Sequence, residues 1–378
     1  MSSSKSKSAT FAFLRLWFTD IFGNLKNVAI TPSDIEIAFE EGIGFDGSSI
    51  DGLASLQDSD MLVHPDPSTF QVLPWRPSDD GVARMFCDLR TPDGAPAAGD
   101  SRHVLMNMLK RAGAMGYSVN IGTAVEYFCF KSDSAPEAYR QGGYFDLAPL
   151  DNASEPSPRN GAARSQKMGI PVEYSHHEAA PAQQEIDLRF CDALSAADAV
   201  VTARLVIKET AHAQGVHASF MPKPIEGQPG SAMHVHQSLF DERGNAFADT
   251  NDPDGMGLSS VAKSYIAGLL KYAPEYMLIT NQYVNSYKRL VPGFDAPVVV
   301  SGEAETVRPW CVCLATSRAS PHRRALRCAA SIRRRIRIWR TLPCLEWASR
   351  VSRKVSICVR RSKKTCSSFL RLKSPNVA

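Results

Sequence analysis

Short apolar segments separated by polar turns make up the first 100 residues. Apolar runs at 11–18 and 26–30 flank a Gly23-Asn24 turn and predict a β-hairpin. Pro32-Ser33 predicts the start of a helix of about eight residues that ends before Gly42. Further strands are predicted at 60–64, 70–73 and 83–88. A hairpin followed by a helix and more strands predicts a small β-grasp-like domain over residues 11–100.

Longer segments follow residue 100. Apolar positions at helical spacing predict a helix over 101–116, and two more helices are predicted at 193–214 and 258–273. The segments with strand patterns are 117–130, 186–190, 217–222 and 233–240. Residues 151–166 are rich in Pro, Ser, Asn and Gly and predict a loop. The sequence therefore predicts an α+β protein with a second, larger domain over residues 101–301.

The charge is divided unequally along the chain. Residues 306–378 hold 15 Arg and 4 Lys against a single acid, Glu346, whereas the other 305 residues hold 24 basic and 38 acidic residues. This tail has no apolar periodicity and almost no acid to balance its charge, so we expect residues 302–378 to be poorly ordered. Residues 1–10 are rich in Ser and Lys without an apolar run, and we expect a disordered leader.

Composition argues against several classes of protein. No run of about 18 apolar residues is present, which predicts no membrane span. The Arg clusters of the tail lack interleaved aromatic residues, so we expect no nucleic-acid partner. The alternative is a genuine Arg-rich extension that contacts nucleic acid or an acidic surface. Cys87, Cys129 and Cys191 lie in apolar surroundings, which is typical of a reduced, cytoplasmic protein.

Three carboxylates and a histidine are candidates for metal chemistry. Glu126 follows a predicted strand segment, and a turn at Pro181 would bring Glu178 and Glu185 together. Alternation in the 233–237 segment places His234 and His236 on one face of a strand. Oxygen donors with one imidazole suit Mg²⁺ or Mn²⁺ better than zinc. Taken singly, each residue is also explained as a solvated charge or a hydrogen-bonded histidine.

Four separated motifs together resemble bacterial type I glutamine synthetase over roughly residues 11–300. In chain order they are Phe45-Asp46-Gly47-Ser48-Ser49-Ile50, His176-His177-Glu178 with Gln184-Glu185, Gly230-Ser231-Ala232-Met233-His234, and the segment 285–293 (Asn-Ser-Tyr-Lys-Arg-Leu-Val-Pro-Gly). The resemblance implies a β-grasp-like domain joined to a glutamine synthetase-type catalytic domain. It also implies ATP-dependent ligation of ammonia to glutamate through γ-glutamyl phosphate.

The resemblance also implies roles for individual residues. Glu126, Glu178 and Glu185 would hold a first Mg²⁺ or Mn²⁺ ion, and His234 with Glu185 would help hold a second beside the ATP phosphates. Arg289, Gly230 and His234 would bind glutamate. The positions implied to contact ATP are Glu173, Phe190, His236 and Ser238.

Two aspartates and an oligomer complete the implied site. Asp46 would reach the site of a neighbouring subunit and help to deprotonate ammonium, and an Asx-turn is the alternative role for that residue. Asp295 stands where the family carries a catalytic glutamate in a flap. The resemblance implies a homo-oligomer, a dodecamer in the family, with active sites between subunits.

Several positions depart from the family pattern. Ala124 stands where the family has the first glutamate of a Glu-x-Glu pair, so the second ion would lose a carboxylate. Asp295 shortens the flap carboxylate by one methylene, and Pro229 replaces an asparagine. We therefore expect impaired activity. A γ-glutamyl-amine ligase of the same superfamily and a catalytically dead binding protein are the alternatives.

The tail is interpreted as an off-frame translation. The family continues with an Arg-x-Glu-x-Arg motif and Asn-Pro-Tyr-Leu, which residues 302–378 lack. Codons chosen for residues 324–339, when read from the third base, give Arg-Ile-Glu-Val-Arg-Ser-Ile-Asp-Pro-Ala-Ala-Asn-Pro-Tyr-Leu, which contains both motifs. A change of reading frame shortly after the codon for Pro297 explains this coincidence.

Overall fold

The protein was analysed as a computed structural model that describes most of the chain. The described residues are 11–55, 59–76, 81–146, 164–254, 257–294, 296–298 and 300, together with the backbone of 302–304, 311–314 and 325–331. They form two compact units. The first comprises the described residues up to Val104 together with 164–171, and the second comprises the remainder.

A six-stranded sheet is the framework of the first unit. Its strands are β1 (Phe11–Thr19), β2 (Leu25–Ile30), β3 (Ile43–Asp46), β4 (Asp60–Pro65), β5 (Gln71–Val72) and β6 (Gly81–Arg90). The order is β2-β1-β6-β4-β3, with β5 beside β6. β1 and β6 are parallel and the other pairs are antiparallel. The predicted hairpin is β1–β2, and the predicted helix is α1 (Ile35–Glu40), which follows a 3-10 turn at Pro32–Asp34.

Alternation along these strands builds an apolar core. Leu14, Leu16 and Phe18 of β1 lie in one buried cluster with Met85, Cys87 and Leu89 of β6 and with Ala38 of α1. Each of these residues is two positions from the next on its strand, so their side chains share one face of the sheet. The β-grasp-like domain predicted from the sequence is confirmed.

A buried arginine joins two parts of this unit. Arg102, near the start of α2 (Ser101–Ala114), donates from Nη1 to Asp88 Oδ1 at 2.7 Å and from Nη2 to Asp66 Oδ2 at 2.6 Å. Its side chain is 4% exposed. Burial alone would raise the pKa of Asp66, but hydrogen bonds from Ser68 and Arg102 outweigh burial and lower it. The arginine is thus paired on both sides.

A nine-stranded sheet is the framework of the second unit. Its strands are β7 (Ser118–Phe130), β8 (Val172–His177), β9 (Gln183–Asp192), β10 (His217–Ser219), β11 (Ala232–Asp241), β12 (Gly244–Asn245), β13 (Gly302–Ala304), β14 (Cys311–Leu314) and β15 (Ala325–Ser331). The order is β13-β14-β15-β11-β7-β9-β8, with β10 beside β7 and β12 beside β11. Its helices are α3 (Ala193–His212), α4 (Ser260–Thr280) and α5 (Val284–Arg289).

The two faces of β7 have different neighbours. Tyr127 packs on Phe220, and the guanidinium of Arg204 from α3 lies over that same phenyl ring. Successive side chains of a strand point to opposite faces. Tyr127 therefore points toward the helix layer, and Glu126 and Ala124 point away from it.

Helix α4 continues past the predicted end at residue 273. Pro274 lies inside it and has no N–H to donate to the preceding turn. The Tyr276 hydroxyl donates to the carbonyl of Leu269 at 3.1 Å, and both Ala273 and Tyr276 are buried. Packing on both sides of the proline therefore outweighs its local preference to end the helix.

The remaining predictions divide between described and undescribed parts of the chain. The strands predicted at 117–130, 186–190 and 233–240 and the helices at 101–116 and 193–214 are confirmed within a few residues. The leader at 1–10 and most of the 151–166 loop lie outside the described residues. In the tail, the described backbone consists of β13, β14 and β15, which the sequence pattern does not predict. No helix in the described part of the chain is long and apolar enough to cross a membrane.

Replacing Arg102 with alanine should destabilise the first unit. The change leaves the carboxylates of Asp66 and Asp88 without the cation that they share. We expect the free energy of unfolding to fall by about 2–3 kcal/mol, which is less than for fully buried pairs. Urea unfolding monitored by circular dichroism measures it. Arg243→Ala removes an exposed partner of Asp241 and should leave stability unchanged. Equal stability of the Arg102→Ala protein and the unmodified chain would show that the paired arginine contributes little.

Candidate metal and substrate site

Strand register brings the predicted metal ligands into two adjacent rows on one face of the large sheet. In one row Glu126 of β7 lies opposite Glu185 of β9, and His176 of β8 lies on the other side of Glu185. In the next row His234 of β11 lies opposite Ala124 of β7. Adjacent strands are about 4.8 Å apart, so side chains of these rows can reach a common ion.

We call Glu126, Glu185 and His234 the inner group. His234 Nε2 is 3.6 Å from Glu126 Oε1, and His234 Nδ1 is 3.5 Å from Glu185 Oε1. One donor atom from each residue lies within 4.8 Å of the others. The group combines two buried carboxylates with one imidazole, as a site for a hard divalent cation requires.

We call His176, Glu178 and Glu185 the outer group. His176 Nε2 is 3.6 Å from Glu185 Oε2, and His176 Nδ1 is 3.5 Å from Glu178 Oε1. Glu178 follows β8 directly, and the hairpin through Pro181 returns the chain to Glu185, as the sequence predicts. Glu185 belongs to both groups and offers one oxygen to each.

This pairing differs from the predicted one. The sequence places Glu126, Glu178 and Glu185 around one ion, whereas the structure groups Glu126 with His234 and groups Glu178 with His176. His176 is a candidate ligand that the sequence reasoning overlooked. Its signal was available, because the His176-His177-Glu178 motif precedes the Pro181 turn that leads to Glu185.

Burial, followed by the neighbouring Glu185, raises the pKa values of the clustered carboxyl groups. Burial raises the pKa of Glu126 well above its ordinary value, and the negative charge of Glu185 raises it further, against a lowering effect of Arg289. Burial raises the pKa of Glu178 to about 8, together with a hydrogen bond shared with Glu185. Both shifts have the same main cause, which is the burial of a carboxyl group beside the negative charge of Glu185.

Two donors fix the orientation of Glu126. Its Oε2 accepts from the backbone N–H of Ala232 at 2.9 Å and from Gln183 Nε2 at 3.1 Å. The other oxygen, Oε1, remains directed at His234. Such outer contacts hold a metal ligand in one orientation. Nothing in the spacing of the sequence identifies Gln183.

Gly230 and Arg289 lie together, as predicted for a substrate pocket. Gln183 Nε2 also donates to the Gly230 carbonyl at 3.2 Å, and Arg289 Nε donates to the same oxygen at 3.5 Å. A side chain at position 230 would lie 2.1 Å from the carbonyl oxygen of Pro222. Only glycine permits this approach of the two backbone segments.

Asn285 holds the helix that carries Arg289. Its Oδ1 accepts from the Lys223 backbone N–H at 2.8 Å, and its Nδ2 donates to the Lys223 carbonyl at 3.0 Å. Both bonds join α5 to the loop that leads to Gly230. This pair of hydrogen bonds explains why the motif begins at Asn285, four residues before Arg289.

The four predicted ATP contacts have different surroundings. On β11, His236 lies opposite Gly122 of β7, and the buried Ser238 lies two residues further along the same face. A side chain on Gly122 would meet the ring of Phe190 at 2.9 Å, so the glycine makes room for that half-exposed ring. Glu173 is exposed and lies at an irregularity in the β8–β9 pairing. The structure thus brings His236 and Phe190 to either side of Gly122.

Of the two predicted aspartates, Asp46 is among the described residues and Asp295 is not. Asp46 lies in the first unit, where its exposed carboxylate accepts from Ser48 Oγ at 2.6 Å and from the Ser48 N–H at 2.8 Å. The hydrogen bond from the Ser48 hydroxyl, followed by that from its N–H, lowers the pKa of Asp46. This contact is the Asx-turn that the sequence analysis gives as the alternative role. Asp295 lies outside the described residues.

Comparison with known proteins gives two family matches. Residues 10–92 match the model described as glutamine synthetase, beta-Grasp domain, and residues 98–306 match that of glutamine synthetase, catalytic domain. The glutamine synthetase of Mycolicibacterium smegmatis is 55% identical over 296 residues, which cover 76% of this chain and 66% of the relative. That of Methanosarcina mazei is 47% identical over 326 residues, covering 85% and 72%. The chain therefore spans about two thirds of the length of these relatives.

Solved structures show the same fold. The cryo-EM structure of Plasmodium falciparum glutamine synthetase matches with a TM-score of 0.82 at 22% identity, covering 92% of this chain and 73% of that one. A complex of GmaS with ADP matches with a TM-score of 0.77 at 24% identity, covering 92% and 80%.

The clustered carboxylates predict a fall in stability with rising pH when metal is absent. The folded-state pKa of Glu178, about 8, exceeds its ordinary value of 4.5, so the folded chain binds more protons between these values. The stability from this protonation is present at low pH and is lost as pH rises toward 8. We expect the melting temperature in EDTA to fall from pH 6 to pH 8. Each kcal/mol of lost stability lowers it by roughly 2–4 °C.

Two controls assign that effect to the cluster. Mn²⁺ should stabilise the chain more at pH 8 than at pH 6, because an ion replaces the protons on its carboxylate ligands. Glu178→Gln should lessen the fall in EDTA, since the substituted side chain does not titrate. A fall of the same size in the Glu178→Gln protein would assign the pH dependence to other groups.

Gly230→Ala should disturb both packing and the pocket. The new methyl meets the Pro222 carbonyl at 2.1 Å, so the backbone must move and carry the Gly230 oxygen away from Gln183 and Arg289. Overpacking of this kind costs about 1–3 kcal/mol, which differential scanning calorimetry measures. Gly113→Ala in α2 meets no atom within 4 Å and should leave stability equal or higher. Unchanged stability of Gly230→Ala would contradict the close approach.

Proposed function

Because the chain belongs to the glutamine synthetase family, we propose that its fold serves the ATP-dependent ligation of ammonia to glutamate. The observation that carries the proposal is the pair of metal-binding groups sharing Glu185, next to the Gly230–Arg289 pocket. A site of this composition suits phosphoryl transfer, in which positive charge must balance the transferring phosphate.

The residues present fit Mg²⁺ or Mn²⁺. The inner and outer groups together offer three carboxylates and two imidazoles, and oxygen donors predominate. We propose that Glu126, Glu185 and His234 hold one ion and that Glu178, Glu185 and His176 hold the other. The ions would neutralise phosphate charge during transfer. The burial of Glu126 and Glu178 beside Glu185 raises the pKa of both carboxyl groups and supports this assignment, because a bound cation would stabilise their ionised forms.

Glutamate would bind beside the inner group. Arg289 is positioned to pair with a carboxylate of the substrate, since a guanidinium recognises carboxylates through two parallel N–H bonds. Gly230 would offer its backbone to the amino acid, and His234 would lie next to the bound substrate. Gln183 links this pocket to Glu126, because its Nε2 contacts both Gly230 and that carboxylate.

ATP would bind along the face that continues from His234. We propose that Phe190 and His236 contact the nucleotide, with Ser238 and Glu173 as polar partners. The ring of Phe190 offers a flat apolar surface, and the buried Ser238 hydroxyl lies further along the strand. The proposed residues thus line a path that starts at the metal groups.

The reaction would proceed in two steps. The glutamate γ-carboxylate attacks the γ-phosphorus of ATP, releasing ADP and forming γ-glutamyl phosphate. Ammonia, deprotonated from ammonium, then attacks the acyl carbon and releases phosphate. We propose that Asp46 of a neighbouring subunit accepts the proton from ammonium and that Asp295 takes the place of the catalytic glutamate in the family's flap. The proposal therefore includes a homo-oligomer, which is a dodecamer in the family. The lowered pKa of Asp46 keeps the carboxylate ionised.

Buried free thiols at Cys87 and Cys129 support a cytoplasmic setting.

We expect the chain as it stands to make no measurable glutamine, and the frame-restored chain to be active. The arginines that the family carries after the flap are absent from the sequence of the tail, and an arginine that stabilises phosphoryl transfer contributes on the order of 10³-fold or more. Restoring the reading frame after the codon for Pro297 should give ATP- and ammonia-dependent glutamine formation, measured by ADP release and by chromatography.

Three outcomes separate the alternatives. Glu185→Gln in the restored chain should abolish the reaction, which ties it to the shared ligand. Methylamine in place of ammonia tests for a γ-glutamyl-amine ligase. A restored chain that folds, binds Mn²⁺ and yields neither product would support a binding protein. Vigorous glutamine synthesis by the unrestored chain would contradict the expected impairment.

A further inference from the structure

The inner group supplies few donors for a divalent ion. Glu126, Glu185 and His234 provide one ligand atom each. Mg²⁺ prefers six ligands in an octahedron and completes the set with water or further carboxylates. Another carboxylate on the same face would therefore find a free coordination position.

The row that contains His234 has a gap at its centre. His234 lies opposite Ala124, and Ala124 lies opposite Asp187 on β9, so the three residues cross β11, β7 and β9 in line. Ala124 is buried and its methyl group offers no donor atom. The register therefore puts a residue without a donor atom between an imidazole on one strand and a carboxylate on the other.

Asp187 points to the same face as the ligands. It is two residues from Glu185 on β9, and the irregularity in the β7–β9 pairing falls beyond it, between Ile121 and Thr123. Alternation along the strand therefore places Glu185 and Asp187 on one face. Asp187 is 9% exposed, which makes it a buried carboxylate within one row of the inner group.

We propose that Asp187 is an additional ligand of the divalent ion held by the inner group, reaching it across Ala124. The inference rests on the proposed function, because it presupposes that the inner group binds an ion. The Cα atoms of His234 and Asp187 are separated by two strand spacings, about 10 Å. Two metal–ligand bonds of about 2.1 Å each leave about 6 Å for the two side chains to cover.

Ion binding would require a small change in the side chain of Asp187. Its oxygens are not among the donor atoms that lie within 4.8 Å of one another. Rotation about its χ1 angle toward Ala124 would bring its carboxylate closer to the inner group, and alanine is the residue between them on the sheet. The carboxylate expected to be missing at Ala124 would thus be supplied from the next strand.

Mn²⁺ binding to the full chain tests this directly. Electron paramagnetic resonance titration counts free and bound ions without any catalysis. We expect the unmodified chain to bind two ions and Asp187→Asn to bind one of them about 10–100-fold more weakly, the range seen when a contact at a metal site is lost. Asp241→Asn, at the far end of β11, is the matched control and should leave both affinities unchanged.

Moving the carboxylate from position 187 to position 124 gives a second test of the proposed ligand. In the double variant Ala124→Glu with Asp187→Asn, the carboxylate moves one strand toward His234, and we expect affinity for the weakened ion to return. Melting curves in EDTA check that each variant folds. If Asp187→Asn does not fold, Asp187→Glu, which keeps the carboxylate at this position, must bind two ions.

The outcomes distinguish the two levels of proposal. No Mn²⁺ binding by the unmodified chain would overturn the metal assignment in the proposed function. Two ions bound equally well by the unmodified chain and by Asp187→Asn would overturn only the role of Asp187. Equal weakening of both ions, or failure of the relocated carboxylate to restore binding, would show that Asp187 acts on the fold and is not a ligand.

Discussion

Holding several carboxylates together inside a sheet is the constraint that shapes this protein. Glu126, Glu178 and Glu185 repel one another, and burial adds to the cost of their charge. Flexible loops would let such groups move apart, but β7 and β9 hold two of them opposite each other through backbone hydrogen bonds. The helix layer on the other face, where Tyr127 meets Phe220, keeps the strands in place. The apolar face therefore supports the charged one.

Strand β7 sets what each part of the site can do. Glycine at position 122 makes room for the Phe190 ring, alanine at 124 has no donor atom, and glutamate at 126 supplies a buried carboxylate. These three residues are two positions apart and share a face. Along one face, β7 thus presents a position that admits a ring from β9, a small apolar side chain and a carboxylate, spaced about 7 Å apart.

Much of this arrangement was predictable from local patterns. Apolar alternation located β7 and β11, and the turn at Pro181 predicted that Glu178 and Glu185 would meet. The grouping of the candidate ligands was not predictable, because it depends on which rotamers His176 and His234 adopt between the rows. Gln183 was missed for a similar reason, since its role depends on Gly230 and Glu126, which lie 47 and 57 residues away in the chain. Helix α4 exceeded its predicted length because tertiary packing around Tyr276 outweighs the effect of Pro274.

The hydrogen bond from the Ala232 N–H to Glu126 spans 106 residues of sequence, and this has a consequence for synthesis on the ribosome. The outer group needs only β8 and β9, so its ligands are all present once the chain has been made to residue 192. The inner group must wait for β11, which supplies both His234 and the N–H that orients Glu126. The two groups of candidate ligands therefore become complete at different points of synthesis, the outer group before the inner group.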